Sequence, residues 1–236
     1  MLIEQQPAYV LHVRPYRETS LLLECLTRDQ GRIGVIARGV RSQRSRLQRS
    51  QLEPFQPLAL DLQWRGELAT LRNAELTAAP YRLPGDAALS GLYINELVVR
   101  LTERQDPHPQ LYHAYAQTLA RLGTGETLAW HVRRFERDLL TALGYALQLE
   151  FDANTGDPLQ ADSLYAYRAE HGPVRCGANE PNALRGDDLM SLQRDHMPDV
   201  QGLHALRRMM REVIRFHLGG VELRAWRVLR STLARR

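Results

Sequence analysis

Two kinds of hydrophobic pattern divide the chain near residue 80. Before it, short apolar runs and alternating segments predict five β-strands, at Ala8–Val13, Ser20–Thr27, Ile33–Ala37, Leu58–Trp64 and Leu68–Leu76. Turn signals separate the strands, most clearly at Gly31 and Gly66. Five short strands in so short a segment indicate a small barrel or an open sheet.

After Pro84 the apolar residues recur with the period of an amphipathic helix. Five helices are predicted, at Asp86–Glu103, Gln110–Leu122, Thr127–Leu143, Leu203–Leu218 and Val221–Leu233. Residues 146–199 lack that period and are rich in turn residues, so we predict an irregular segment with a small hairpin around Tyr165–Tyr167 and Val174. The fold class is therefore α+β, with a β-domain over residues 1–80 and a mainly helical domain over 81–236 that carries an irregular acidic insertion at about 146–199.

Composition is that of a globular protein, but its charge is unevenly distributed. The chain has 236 residues, 44% of them hydrophobic, and a net charge of +4. All 31 basic residues are arginine, and the two ends of the chain are basic while residues 150–199 are acidic. The two cysteines form no CxxC motif, and no signal peptide or apolar run of membrane-spanning length is present, so we expect a cytoplasmic protein.

A dense arginine run is the strongest functional signal. No acidic residue occurs between Asp29 and Glu53. That interval contains five closely spaced arginines, namely Arg38, Arg41, Arg44, Arg46 and Arg49. Like charges that lack interleaved acids repel one another and suit a polyanion, which inside cells is most often nucleic acid. The alternative is a solvated loop that binds no ligand.

A second basic face lies on the third predicted helix. Helical spacing places one aromatic side chain and three guanidiniums opposite the apolar stripe, namely Trp130, Arg133, Arg134 and Arg137. An exposed tryptophan among arginines is unusual for a solvated face, so one interpretation is a binding site for an acidic peptide or nucleic acid. The alternative is a solvated surface on which Arg134 pairs with Asp138.

A third basic row lies on the fourth predicted helix. It comprises Arg207, Arg208, Arg211 and Arg215. These arginines could form a further anion-binding surface, but we expect them to pair with the acidic insertion.

Motifs of catalysis are missing from the sequence. There is no glycine-rich phosphate loop, no GxSxG, no HExxH, and the eight histidines form no metal-ligand cluster. We therefore predict no enzymatic activity, no cofactor and no metal.

Ordered motifs along residues 8–224 resemble the RecO family of bacterial DNA repair proteins. The motifs are Tyr9–Leu23 (YVLHVRPYRETSLLL), Gly39–Ser42 (GVRS), Gly66 with Leu71–Glu75 (LRNAE), Gly91–Leu97 (GLYINEL), Arg134–Glu136 (RFE), Leu143–Tyr145 (LGY) and Leu218–Gly220 (LGG). The resemblance implies an N-terminal OB-fold barrel followed by a helical domain. It also implies a recombination mediator rather than an enzyme.

The resemblance further implies partners. Proteins of this family bind single- and double-stranded DNA, anneal complementary strands, contact the acidic C-terminal tail of single-strand-binding protein, and join RecR to load RecA. The protein would then be cytoplasmic and nucleoid-associated, with no membrane partner. OB-fold barrels bind strands across one face and its loops.

The resemblance to the family implies two groups of site residues. The DNA-binding group combines two residues at strand ends with the arginine run: Arg14, Arg32, Arg38, Arg41, Arg44, Arg46 and Arg49. The candidate group for the acidic tail is Trp130, Arg133, Arg134 and Arg137.

One departure from the family pattern concerns zinc. Many members carry a four-cysteine zinc knuckle in the helical half, whereas here Cys176 is the one cysteine in that region. We therefore predict a degenerate, zinc-knuckle-like insertion without zinc ligands, which is held by packing alone or is mobile.

Two alternative functions stay open at this point. One is a protein-interaction adaptor whose DNA contact is secondary. The other, less favoured, is a nuclease or another metal-dependent enzyme.

Overall fold

The computed structural model describes residues 1–42, 47–125 and 127–226. By their contacts the residues form two compact units, Met1–Gly125 together with the stretch from Arg224, and Glu126–Leu223. Among the described residues, the first unit contains the β-barrel, two long helices and the helical stretch Arg224–Trp226. The predicted domain boundary at residue 80 stays a prediction. No helix in the described part of the chain is long and apolar enough to cross a membrane.

A closed five-stranded barrel forms the start of the first unit. Its strands are β1 (Leu2–Tyr16), β2 (Ser20–Thr27), β3 (Gly31–Ala37), β4 (Leu58–Arg65) and β5 (Leu68–Leu76). They close in the order β1-β2-β3-β5-β4, and the β3–β5 pair alone is parallel. The five predicted strands are confirmed. The first begins at Leu2 rather than Ala8, because a register shift between Ile3 and Gln6 lets a polar segment pair with β4.

A β-bulge in β1 decides which side chains of that strand face outward. The register with β2 shifts between Val10 and His12. Val10 belongs to the barrel core and Val13 packs against it, so Leu11 is the extra residue and Arg14 faces outward. Without the bulge, strict alternation from Val10 would turn Arg14 towards the core.

Buried polar side chains hold that bulge in place. Asn95 donates its side-chain amide to the Leu11 carbonyl at 3.0 Å. The Tyr115 hydroxyl donates in turn to the Asn95 side-chain oxygen at 2.6 Å. The bulged backbone therefore has the hydrogen-bond partner that a buried carbonyl requires.

Two helices of the first unit supply these partners. They are α1 (Asp86–Leu101) and α2 (Pro109–Gly123), which confirm the first two predicted helices. The Tyr9 ring of β1 packs between the rings of Tyr112 and Tyr115, with centroids 5.3 and 5.1 Å away. The helices therefore cover the part of the barrel that holds Tyr9.

The second unit combines three helices with a small sheet. It contains α3 (Leu128–Ala142), α4 (Gly186–Gln193), α5 (Val200–His217) and the strands β6 (Leu164–Arg168), β7 (Gly172–Arg175) and β8 (Leu184–Arg185). The predicted hairpin is confirmed as β6 and β7, which pair antiparallel. The fold class is confirmed as an OB-fold-like barrel followed by helices.

One helix was not predicted, and one prediction is only partly covered. The interpretation of residues 146–199 as irregular is wrong for α4, which has eight residues and is too short to show a helical period. Of the fifth predicted helix, Arg224–Trp226 is helical, and the rest lies outside the described residues.

A buried carboxylate organises the insertion at the position where the family resemblance implies a zinc knuckle. Asp152 is 5% exposed. Its oxygens accept from the backbone N–H groups of Asn154 (2.8 Å), Thr155 (3.2 Å) and Arg175 (2.9 Å). These bonds join the turn after Asp152 to β7. The insertion is thus held by a specific hydrogen-bond cluster as well as by packing, which corrects the expectation of packing alone.

No group of three or more potential metal ligands occurs within the part of the chain that the structure describes. Cys176 stands apart from other soft ligands, and a structural zinc site needs four. The donor set around Asp152 consists of N–H groups, which suit an anion and not a cation.

We predict that Asp152→Asn destabilises the second unit and makes it prone to proteolysis between residues 146 and 180. Backbone hydrogen bonds, first of all that from Asn154, hold the pKa of the Asp152 carboxyl below its usual value. A lowered pKa gives stability that is present above the unfolded-state pKa and is lost as pH falls through the folded-state pKa. Urea unfolding of wild type should therefore show a loss of stability in acid that the variant lacks.

Asp157→Asn is the matched control, because Asp157 is an exposed carboxylate of the same turn. If both variants unfold at the wild-type urea concentration, the carboxylate does not hold the insertion together.

Candidate nucleic-acid interface

The outer surface of the barrel carries a row of aligned residues that crosses four strands. Strand register places Arg14 beside Leu22, Leu22 beside Ile36, and Ile36 beside Thr70. The neighbours of these residues, such as Leu23 and Val35, fill the barrel core, so the row itself faces outward. Arg14 is exposed at one end of it.

The next outward position adds more cations. Arg38 follows β3 two residues beyond Ile36, and Arg72 lies two residues beyond Thr70 on the parallel strand β5. Both arginines are exposed. Because the two strands run in the same direction, their basic residues come to the same end of the barrel.

The turn between β1 and β2 joins this basic surface. The Arg41 backbone N–H donates to the Thr19 carbonyl at 2.9 Å, which fixes the start of the arginine loop beside the turn. In the turn, the Arg17 guanidinium lies 5.3 Å from the centre of the Tyr16 ring. We define the barrel rim as the exposed residues Arg14, Arg17, Arg38, Arg41 and Arg72.

Carboxylates do not neutralise the barrel rim. Within residues 1–42, 47–125 and 127–226, no rim arginine lies within 4.0 Å of a carboxylate oxygen. Five guanidiniums on one convex surface therefore produce a positive potential that attracts polyanions.

Arg32 occupies a different environment from the rim. Its side chain is 12% exposed and pairs with Glu24 at 3.0 Å. It also donates to the Thr102 hydroxyl at 3.1 Å and to the Thr102 carbonyl at 2.8 Å, while Arg104 contacts the other oxygen of Glu24. Arg32 thus ties β3 to the end of α1, and its placement argues against the predicted contact with DNA.

The remaining arginines of the run differ in how they are placed. Arg49 begins a short 3-10 helix, Arg49–Leu52, and pairs with Glu53 at 3.5 Å, with both side chains largely exposed. Such a surface pair is weak and leaves Arg49 accessible. Arg44 and Arg46 lie outside the described residues.

The basic face of α3 is built differently from its prediction. Trp130 is 5% exposed and packs with Leu140 and Met209 in the core of the second unit, so the expectation of an exposed tryptophan is wrong. Arg133 is 7% exposed, and its guanidinium donates to Glu136 at 2.7 Å. Neither side chain offers a surface to a partner in this structure.

Arg134 and Arg137 instead connect α3 to the end of α4. Both guanidiniums contact the carboxylate of Asp195. Arg137 also donates to the Leu192 carbonyl at 2.7 Å and pairs with Asp138 at 2.8 Å. Arg134 is thus paired with Asp195, and Asp138 is paired with Arg137.

Comparison with known proteins finds two models of one family that together cover most of the chain. Residues 1–80 match the family model "Recombination protein O N terminal", and residues 83–227 match "Recombination protein O C terminal". The chain belongs to the RecO family. All five barrel strands lie within the residues that match the N-terminal family model.

Several curated RecO proteins are similar over their full length. DNA repair protein RecO of Xanthomonas euvesicatoria pv. vesicatoria (strain 85-10) is 43% identical over 100% of both chains. That of Xylella fastidiosa (strain 9a5c) is 45% identical over 97% of this chain and 96% of the relative. That of Stenotrophomonas maltophilia (strain R551-3) is 44% identical over 100% of both. Membership in a family of DNA repair proteins is thereby shown.

Sequence patterns missed two residues of the barrel rim in this RecO family member. Arg17 lies in a turn, and Arg72 is exposed on β5 far from the arginine run. Alternation along β5 could have placed Arg72 outward, since Ala69 and Leu71 belong to the core. No local sequence pattern indicates that β5 pairs with β3, and this pairing brings Arg72 beside Arg38.

We predict that Arg32→Ala lowers the free energy of unfolding by about 2 kcal/mol, because it removes a buried ion pair and leaves Arg104 as the partner of Glu24. Arg14→Ala, which removes an exposed cation, should change stability by less than about 0.5 kcal/mol. Urea denaturation measures both changes. Equal stability of the two variants would contradict the structural role of Arg32.

Proposed function

We propose that the chain is a mediator of DNA repair and homologous recombination that binds single- and double-stranded DNA and anneals complementary strands without catalysing a reaction. The observation that carries this proposal is the barrel rim, five exposed arginines without carboxylate partners among the described residues. Membership in the RecO family supports the repair role.

The chemistry of the barrel rim suits the phosphate backbone and not the base edges. Guanidiniums bind phosphate oxygens through a planar fork of donors and remain charged at all physiological pH values. Contacts of this kind are independent of base sequence. A strand that is held by its phosphates keeps its bases available, which is the condition that annealing requires.

Replacing Arg14, Arg38 and Arg41 by alanine tests the proposal. Each phosphate contact contributes about 0.7 to the log–log salt slope of single-strand binding, so the triple variant should lose about 2 in slope and bind all sequences more weakly. Fluorescence anisotropy with a labelled oligonucleotide over a range of salt concentrations measures both quantities.

The matched control replaces Arg28, Arg82 and Arg100 by alanine, which removes the same charge from the same unit at exposed positions outside the barrel rim. A rim variant whose affinity and salt slope equal those of this control would refute the role of the barrel rim. Wild-type protein that binds no DNA would refute the function itself.

We also propose that Arg134 and Arg137 bind the acidic C-terminal tail of single-strand-binding protein. Their side chains are 18% and 19% exposed, and both contact Asp195, which is 40% exposed. A carboxylate of the tail would take the place of Asp195 on the two guanidiniums. Trp130 and Arg133, which are buried, would position α3 rather than touch the tail. Contacts with RecR, and through it the loading of RecA, are proposals that rest on the family resemblance.

If a carboxylate of the tail displaces Asp195 from the two guanidiniums, then Asp195→Asn should strengthen binding and not weaken it. Removing the internal competitor should strengthen binding of an acidic tail peptide by about fivefold, whereas Arg134→Glu should abolish it. Isothermal titration calorimetry with the peptide measures both effects.

Asp187→Asn is the control, because it removes an exposed carboxylate from the same unit. Peptide affinity that falls in Asp195→Asn, or that survives in Arg134→Glu, would show that the tail binds elsewhere.

A further inference from the structure

An aromatic side chain lies beside the barrel rim. Tyr16 is the last residue of β1 and comes two residues after Arg14, so its side chain lies on the same outward side of the strand. The residue is half-buried, and the Arg17 guanidinium lies 5.3 Å from the centre of its ring. The ring is therefore close to two rim arginines and is partly open to solvent.

Strand register places Tyr16 in one row with two further rim arginines. Tyr16 pairs with Ser20 of β2. Arg38 comes opposite Ser20 when the register between β2 and β3 is extended by one residue, and Arg72 comes beside Arg38 when the register between β3 and β5 is extended by two. Neighbouring strands are about 4.8 Å apart, so roughly 10 Å separates the backbones at Tyr16 and Arg38. The ring and these guanidiniums thus belong to one outward surface.

The turn after Tyr16 has a strained backbone. Arg17 has a φ of 52°, which lies in the left-handed region that favours glycine. An arginine at such a position costs conformational energy, and strained residues of this kind are concentrated at functional sites. The Arg17 side chain is exposed and makes no ion pair among the described residues, so no carboxylate holds it over the ring.

One carboxylate, that of Glu18, belongs to the same turn. Glu18 is exposed and forms no ion pair in the described ranges. The hydrogen bond from the Arg41 backbone to Thr19 brings the start of the arginine loop to this turn as well. Cations therefore outnumber carboxylates around the Tyr16 ring, and the potential there attracts an anionic backbone.

The arginine row of α5 lacks this combination. Arg211 pairs with Glu222 at 3.6 Å, and Glu222 lies after α5 and not in the acidic insertion, where a partner was expected. The His217 ring, whose centroid is 4.4 Å from that of Tyr145, comes four residues after the buried Val213. It is therefore on the side of α5 away from the arginines.

We propose that Tyr16 stacks on an unpaired base of a strand whose phosphates are bound by the barrel rim, and that this contact makes the protein prefer single strands to duplex. The inference rests on the DNA-binding function proposed above and names the preferred form of DNA. Bases inside a duplex are stacked on one another, so the ring finds a free base face in a single strand. Tyr16 takes one base, and the neighbouring bases stay available for pairing.

Stacking on a base differs from phosphate binding in its dependence on salt. A ring carries no charge and releases no counterion, so loss of the stacking contact lowers affinity and leaves the salt slope unchanged. Loss of a rim arginine lowers both. Affinity and salt slope together therefore separate the contribution of Tyr16 from that of the guanidiniums around it.

Tyr16→Leu in the full-length protein tests the proposal, because leucine keeps the apolar bulk and removes the aromatic face. Fluorescence anisotropy should show about tenfold weaker binding of an oligo-dT strand, an unchanged salt slope, and unchanged binding of a duplex. Tyr16→Phe, which keeps the ring, should bind both as wild type does. Tyr145→Leu is the control outside the barrel, since Tyr145 is 48% exposed in the second unit.

An abasic oligonucleotide of the same length supplies the second arm. It has the phosphates of the oligo-dT strand and no bases. Wild-type protein should bind it about tenfold more weakly than oligo-dT, whereas Tyr16→Leu should bind the two strands equally. A variant that is merely destabilised would lose affinity for both strands together.

Photocrosslinking locates the contact in the unaltered protein. An oligonucleotide that contains 5-iododeoxyuridine should label Tyr16, as mass spectrometry of the peptides can show. This measurement does not depend on whether a variant folds.

Three results would overturn the proposal. The first is wild-type protein that binds the abasic and oligo-dT strands equally. The second is a Tyr16→Leu variant that still separates the two strands as wild type does, or that loses both to the same extent. The third is crosslinking to other residues but not to Tyr16. Wild-type protein that binds no DNA at all would instead refute the function on which the proposal rests.

Discussion

The β-bulge at Leu11 is the constraint on which the proposed interface depends. It reverses the alternation of β1, so that Tyr9 faces the helices of the first unit and Arg14 faces outward at the other end of the strand. Asn95 makes the bulge possible, because its amide satisfies the Leu11 carbonyl and is itself held by Tyr115. A buried polar network thus determines where an exposed cation appears.

The arginines of this chain serve two purposes that their environments distinguish. Arg32, Arg133 and Arg137 are largely buried and bind carboxylates or backbone carbonyls. Arg14, Arg38 and Arg41 are exposed and have no such partner in the described ranges. Because arginine is the one basic residue type here, composition gives no hint of which purpose an individual side chain serves. The position of each arginine relative to the acidic residues makes the distinction. Only the folded structure shows that position.

Local patterns were enough to predict the five barrel strands and the main helices. Alternation in Leu58–Arg65 and the 3.6-residue period in Asp86–Leu101 are properties of neighbouring residues, and both elements form where the pattern placed them. The short helix α4 and the early start of β1 were missed, because eight residues or a polar bulged segment carry too little periodic signal.

The site was harder to predict than the fold, because its geometry depends on residues far apart in the chain. Arg32 was predicted to contact DNA, but it donates to Thr102, which lies 70 residues away in the chain. This contact makes Arg32 a structural link. Trp130 was predicted to be exposed because a helical projection assumes burial on one side, whereas α3 is buried on more than one. Parallel pairing of β3 and β5 brings Arg72 to the rim. No local pattern encodes any of these three relations.

Arginine-specific modification with phenylglyoxal, followed by mass spectrometry, tests the central claim most directly. Exposed guanidiniums that bind a nucleic-acid backbone should react with phenylglyoxal in the free protein. They should be protected when a single-stranded oligonucleotide is bound. The account predicts protection of Arg14, Arg38 and Arg41, undiminished reaction of Arg82 and Arg100, and little reaction of Arg32 in either state. Equal reactivity of the three rim arginines with and without saturating oligonucleotide would contradict it.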